Sequence, residues 1–208
     1  MIVVGVTGKY CAGKNTVTEI LAEHGYAVID EDRVGHEVLA IERDRIVGAF
    51  GDAICASDGS IDRRALGRIV FSDAHELRRL EAVMHPVMVD LTARRVASIR
   101  ESAARAASSR DVGQYSPPGV VINAAILFRM GLHALCDIVV LVRAPFRETR
   151  RRARARDGAS LLQVVRRLSA QRDVAPQHSR MDADIHSVEN DGDREKLRAR
   201  LSRILPLP

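Results

Sequence analysis

Short continuous apolar runs and helix-spaced apolar positions alternate along the start of the chain. Ile2 to Thr7 is an unbroken β-rich apolar stretch, which predicts a buried first strand. Gly8 to Gly13 reads as a loop. Lys14 to His24 reads as a helix with Val17, Ile20 and Leu21 on one face, and Tyr26 to Asp30 is a second short apolar run that ends in acids. Strand, loop, helix and strand in that order open a parallel α/β sheet.

The period then changes. From 33 to 105 the apolar positions recur at helical spacing almost throughout, as in Val34, Val38 and Leu39 or Leu66, Ile69 and Val70. A loop at Ser57 to Ser60 interrupts the pattern, and Pro86 is expected to break it again. So long a helical stretch between strands predicts an inserted helical subdomain. Ala107 to Gly119 carries Ser, Pro and Gly and predicts a surface loop. Val120 to Asn123 and Ile138 to Val142 are further buried-strand candidates. Pro145 to Gln171 is Arg-rich and helical with a break at Asp157-Gly158. A weak strand near Ile185 to Val188 precedes a helix at about Arg194 to Ile204.

Composition narrows the class. With 208 residues and 46% hydrophobic residues the chain can bury a sizeable core, and 28% charged residues argue against global disorder. The net charge of +5 is carried almost entirely by arginine and suits a polyanionic ligand such as ATP. Aromatics are only 3%, so a stacking platform for nucleic acid is not expected. Cys11, Cys55 and Cys136 are widely spaced and odd in number, which predicts neither a disulfide framework nor a zinc site. The first residues read as a strand rather than a signal peptide, and no apolar run is long enough to span a bilayer. These features predict a reduced cytoplasmic enzyme with no membrane and no nucleic-acid partner.

The strongest chemical signal is Gly8-Lys9-Tyr10-Cys11-Ala12-Gly13-Lys14-Asn15-Thr16 between a buried strand and a helix. That context defines a phosphate-binding P-loop. Glycines permit the tight turn, backbone N–H groups and the positive helix end attract phosphate, and Lys14 reaches the β- and γ-phosphates. Gly8, Cys11, Ala12, Gly13, Lys14, Asn15 and Thr16 are therefore the expected ATP contacts. A bare strand–helix turn would not need Gly8, Gly13 and Lys14 together. The residue after the lysine is usually a Ser or Thr whose hydroxyl binds Mg²⁺, and here it is Asn15. Thr16 lies roughly 100° further round the helix and cannot take its place. Either the Asn15 carbonyl oxygen ligates Mg²⁺, or phosphates and water hold the ion.

Asp30-Glu31-Asp32 follows the second strand. At the carboxyl end of a parallel strand such acids can orient an attacking hydroxyl or hold Mg²⁺ through water. A helix N-cap with acids in the first turn accounts for them equally well. The arginines from Arg143 to Arg156, with Arg166, Arg167 and Arg172, could supply a clamp on a transferring phosphoryl group, although most suit a solvated helix face. His85-Pro86 alone says little.

Taken in order, these segments resemble the dephospho-coenzyme A kinase family over nearly the whole chain. The resemblance rests on Val6-Thr7-Gly8 with Gly13-Lys14, Gly25 to Asp32, Asp58 to Leu66, Val70 to Asp73, Leu80-Glu81, His85-Pro86, Arg152 to Asp157, Gln171 and Ala183-Asp184. It implies a P-loop NTPase fold with a five-stranded parallel sheet flanked by helices, a helical substrate domain and a lid. Mapped onto this chain, 1–32, 119–150 and 183–208 form the core, 33–105 the substrate domain and 151–175 the lid. The resemblance also implies ATP, Mg²⁺ and dephospho-CoA as ligands, with phosphoryl transfer to the ribose 3′-hydroxyl. By position, Asp32 is the base that touches the acceptor, Lys14 neutralises the phosphoryl group and Asp30 is a Mg²⁺ or water partner beside Asn15. Arg152 and Arg156 belong to the ATP-binding lid, and His85 meets the substrate. The chain departs from the family pattern after the third strand, where Asn123, Ala125 and Arg129 replace an acid, a proline and a glutamate. The turn Val188 to Gly192 is about one residue longer than the family pattern. A kinase for another hydroxyl or nucleotide, or a non-catalytic ATP-binding protein, remains the alternative.

Overall fold

The computed structural model describes residues 1–108, 117–171 and 184–207. Five strands form one parallel sheet: β1 (Ile2–Gly8), β2 (Ala27–Asp30), β3 (Gly119–Asn123), β4 (Ile138–Arg143) and β5 (Asp184–Glu189). Their spatial order is β2-β3-β1-β4-β5, and β1 pairs with β3 through Val6 opposite Asn123 and with β4 through Gly8 opposite Val142. β1 is the middle strand. That is why its apolar run has no polar alternation: Val3, Val4 and Val6 are fully buried, as a strand covered on both faces requires.

The helices are α1 (Lys14–Glu23), α2 (Glu31–Ile41), α3 (Arg43–Phe50), α4 (Arg63–Val70), α5 (Ala74–Ser108), α6 (Phe146–Asp157), α7 (Leu161–Ala170) and α8 (Arg194–Leu201). On one face of the sheet, Val17, Ile20 and Leu21 of α1 and Leu197 and Leu201 of α8 pack onto Val4, Val6, Val121 and Val140. Each such fully buried aliphatic side chain is worth about 1.5–3 kcal/mol relative to exposure. The same packing fixes the start of α1 against the end of β1.

The sheet and its flanking helices make one compact unit, and Asp30–Arg94 make a second. The second unit buries Val34 and Val38 of α2, Ile46 of α3, Leu66 and Val70 of α4 and Met84 and Met88 of α5. Its buried acid, Glu31, accepts a 2.7 Å hydrogen bond from the Thr92 hydroxyl. Helix α5 runs through Pro86, where the sequence predicted a break. Pro86 supplies no N–H to the carbonyl of Ala82. Both residues are exposed, so water can take that carbonyl, while Met84 and Met88 on the buried side hold the helix in place.

Arg172, Ala183, positions 172–175 of the expected lid, 183 and 208 of the expected core, and most of the loop expected at 107–119 lie outside the described residues.

Candidate active site

The phosphate loop leaves β1 at Gly8 and enters α1 at Lys14. Two glycines in it are there for space. A Cβ on Gly8 would lie 2.4 Å from the Val142 carbonyl oxygen of the neighbouring strand. One on Gly13 would lie 2.1 Å from Asn190 Nδ2, and Gly13 also sits at φ 95°, a left-handed conformation. Between them Cys11 takes φ 54°, the one positive value at a non-glycine among the described residues.

Gly13 is also the N-cap of α1 and offers no side-chain oxygen. Helices α2, α4 and α8 are capped by Asp30, Asp62 and Asp193, and α7 by a reciprocal Ser160–Gln163 pair. Helices α3, α5 and α6 carry an acid in their first turn. Among the α-helices of the described residues only α1 has neither device. With no side-chain acceptor and no acid at its start, its positive dipole end suits an external anion.

A brace behind the loop sets its direction. Arg152 of α6 donates to the carbonyls of Cys11 (3.4 Å) and Ala12 (3.0 Å), and to the Asn190 carbonyl (3.2 Å) and Oδ1 (2.8 Å). The buried Asn190 in turn donates from Nδ2 to the Ala12 carbonyl at 3.2 Å. In a planar trans peptide the C=O and the following N–H point in opposite directions. Tying the Ala12 carbonyl back to Arg152 and Asn190 therefore turns the Gly13 N–H away from them. Burial pulls the Arg152 pKa below its ordinary value, and Glu148 opposes the shift. Lys14 donates from Nζ to the Gly8 carbonyl at 3.0 Å, which folds it over its own loop.

Helices α6 and α7 are latched to the loop through Tyr10. Its backbone N–H donates to Gln171 Oε1 at 2.6 Å, and its hydroxyl donates to Asp157 Oδ2. The guanidinium groups of Arg156 and Arg167 lie 5.0 and 4.7 Å from the ring centre, and each also bonds Asp157. Arg156 first, then Tyr10 and Arg167, hold the Asp157 carboxyl well below the usual range. Burial, helped by the bond to Asp157, raises the Tyr10 phenol.

The first unit thus brings together Gly8, Cys11, Ala12, Gly13, Lys14, Asn15, Thr16, Arg152 and Arg156. Arg152 acts on the loop's carbonyls, while Arg156 is stacked on Tyr10 beside Asp157. Asn15 and Asn123, 108 positions apart, meet here: Asn123 Nδ2 donates to Asn15 Oδ1 at 3.4 Å. Sequence reasoning did not assign Tyr10, Asp157 or Asn190 a role in the site, and it placed Arg167 only in a general arginine cluster. A Tyr inside the loop pattern and a lone Asp among arginines were the available signals.

In the second unit, Asp30 accepts from the Asp32 N–H at 3.0 Å as the N-cap of α2. That fixes where α2 starts and hence where the exposed Asp32 stands. His85 lies half-buried on α5. A cavity of about 500 Å³ is lined by His36, Arg43, Arg63, Leu39 and Ile61 among others. His36 follows Asp32 by one helical turn on α2.

Among the described residues no group of three or more His, Cys, Asp or Glu could hold a metal ion, and no helix is long and apolar enough to cross a membrane.

A model of the family described as "Dephospho-CoA kinase" matches residues 2–196. The chain is 36% identical over 208 residues to a dephospho-CoA kinase of Geobacter sulfurreducens, covering 98% of this chain and 97% of that one. It is 35% identical over 212 residues to the dephospho-CoA kinase of Anaeromyxobacter dehalogenans, covering 99% and 91%. Among solved structures, a protein of Thermus thermophilus is 32% identical with a TM-score of 0.73, covering 99% of this chain and 96% of that one. The dephospho-CoA kinase of Campylobacter jejuni, 19% identical with a TM-score of 0.60, covers 97% and 94% and shares the fold.

Proposed function

The chain belongs to the dephospho-CoA kinase family, and we propose that it transfers the γ-phosphoryl group of ATP to the ribose 3′-hydroxyl of dephospho-CoA, giving coenzyme A and ADP in the cytoplasm. The observation that carries this reading is the uncapped start of α1, held open by the Arg152–Asn190 brace with Lys14 folded over it.

The chemistry follows from the parts. The loop N–H groups and the α1 dipole hold the phosphates of ATP. Lys14 leaves the Gly8 carbonyl for the bridging and γ-oxygens and offsets the charge that builds as the bond to ADP breaks. The acceptor hydroxyl attacks phosphorus in line, and Asp32 takes its proton. Parallel strands end on one edge of their sheet, and ligands bind there. That is the reason for giving this task to an acid that directly follows β2. Asp30, already occupied as a cap, positions Asp32 and can share a water with the cation. Arg156 and Arg167 leave Tyr10 to reach phosphate oxygens as the lid engages ATP. The cavity beside His36, Arg43 and Arg63 suits the diphosphate and the neighbouring apolar groups of a bulky acceptor, and the family resemblance gives His85 a substrate contact.

Magnesium fits the loop. Asn123 Oδ1 is buried and has no hydrogen-bond partner among the described residues, and an amide oxygen is a ligand suited to a hard cation. Asn15 and Asn123 would hold the ion, which supplies charge neutralisation of the β- and γ-oxygens when bound.

The test is ADP release by the purified protein with ATP, Mg²⁺ and dephospho-CoA. ADP formation that depends on dephospho-CoA is expected, Lys14→Ala should abolish it, and Asp32→Asn should lower kcat by about 10²–10⁴ with ATP affinity kept. Normal ATP binding with no dephospho-CoA-dependent ADP would overturn the acceptor. A full-rate Asp32→Asn enzyme would overturn the base.

A further inference from the structure

In P-loop proteins the residue after the lysine usually gives a hydroxyl to the cation, and an aspartate from a nearby strand end gives the second anchor. In this chain both positions are neutral amides. Asn15 opens α1, Asn123 ends β3 beside β1, and the Asn123 amide donates to the Asn15 carbonyl at 3.4 Å. The other Asn123 atom, Oδ1, is enclosed and has no partner among the described residues. A buried carbonyl oxygen without a donor is costly unless something positive or a water meets it.

We propose that Asn15 and Asn123 work as one amide pair that seats the cation of a metal–nucleotide complex through carbonyl oxygen, with no protein charge at either position. The inference rests on reading the loop as an ATP cradle, and it is independent of the acceptor. Two consequences follow. The pair contributes one negative charge fewer than an aspartate at 123 would, so the cation is held mainly by the nucleotide and its affinity is set low. The two amides also position each other, so losing either disables both.

The experiment measures Mn²⁺ binding by electron paramagnetic resonance, with the protein saturated by a non-hydrolysable ATP analogue. Asn123→Asp places a carboxylate at the same spot and is expected to tighten Mn²⁺ by about tenfold, since ligand charge count sets affinity at oxygen sites. Asn123→Ala and Asn15→Ala should each loosen it severalfold, and the double alanine variant should be no weaker than the worse single change. Circular dichroism and thermal melting establish that each variant is folded. If Asn123→Asp does not fold, the alanine cycle decides alone. Unchanged or weaker Mn²⁺ binding in folded Asn123→Asp overturns the proposal. So do alanine effects that multiply as independent ones, and so does a parent protein that binds no nucleotide. No acceptor is present in the measurement, so a wrong acceptor assignment would leave the result untouched and would appear only in the ADP assay.

Discussion

Gly13 serves three needs at one position. It must adopt φ 95°, it must leave the α1 terminus uncapped, and it must let Asn190 and Arg152 approach from behind. Gly13→Ala meets all three: the methyl group would sit 2.1 Å from the Nδ2 of an Asn190 that is 3% exposed. We expect a loss of about 1–3 kcal/mol in unfolding free energy, together with weaker ATP-analogue binding. Gly48→Ala is the control, because it lies within α3 with nothing within 4 Å of an added Cβ. There alanine should stabilise by about 0.5–1 kcal/mol. Urea denaturation of both variants reads the contrast, and equal effects would refute the account of the loop. The sequence indicated that Gly13 belongs to a phosphate loop. It could not indicate Asn190, which reaches Ala12 from 178 positions away.

At the scale of elements, the α6–α7 pair is joined to the loop mainly through charge and one aromatic ring, with a small apolar contact of Ala153, Ala159 and Val164 beneath. The Asp157 carboxyl is the hub of that joint. Its pKa is lowered on folding, so its contribution is present above the ordinary carboxylate value and is lost as pH falls through the lower folded value. The latch is therefore closed at neutral pH, begins to lose its contribution only below the ordinary carboxylate range and opens well below it. Tyr10→Phe removes one of the donors to Asp157 but keeps the ring between the arginines. In that variant the Asp157 carboxyl should titrate at a higher pH by NMR, and amide exchange in the loop should quicken. An unmoved Asp157 titration would show that Tyr10 does not hold it. The elements themselves were legible because sheet and helix periods differ. The break at Asp157-Gly158 was legible too, since Gly158 ends α6 in a left-handed conformation. The continuity of α5 was not. Whether a proline ends a helix depends on whether the freed carbonyl reaches water, and that is set by packing around Met84 and Met88.

For the molecule as a whole, ligand binding and stability are linked. A nucleotide that binds only the folded chain stabilises it by RT ln(1 + [L]/Kd), about 2.7 kcal/mol at a hundredfold excess over Kd. An ATP analogue should therefore raise the Tm of the parent in a concentration-dependent way, and Lys14→Ala should largely remove the increase. A Tm that rises equally in both proteins would mean the ligand binds elsewhere than the loop. The net charge of +5 adds a general attraction for polyanions, so the measurement belongs at fixed ionic strength.

The sequence by itself determined the alternation of elements, the burial of the strand at Ile2 to Thr7, the phosphate loop at Gly8 to Thr16 and the family. Each of these depends on neighbours in the chain: a period, a turn or an ordered set of short segments. The tertiary structure alone decided that Arg152 braces the loop's carbonyls, that Arg156 stacks on Tyr10, and that Asn15 and Asn123 face each other. Asn15 and Asn123 are 108 positions apart, and Arg152 and Ala12 are 140. Local propensity carries no information over such distances, because side chains that far apart meet only when the strands and helices between them have packed.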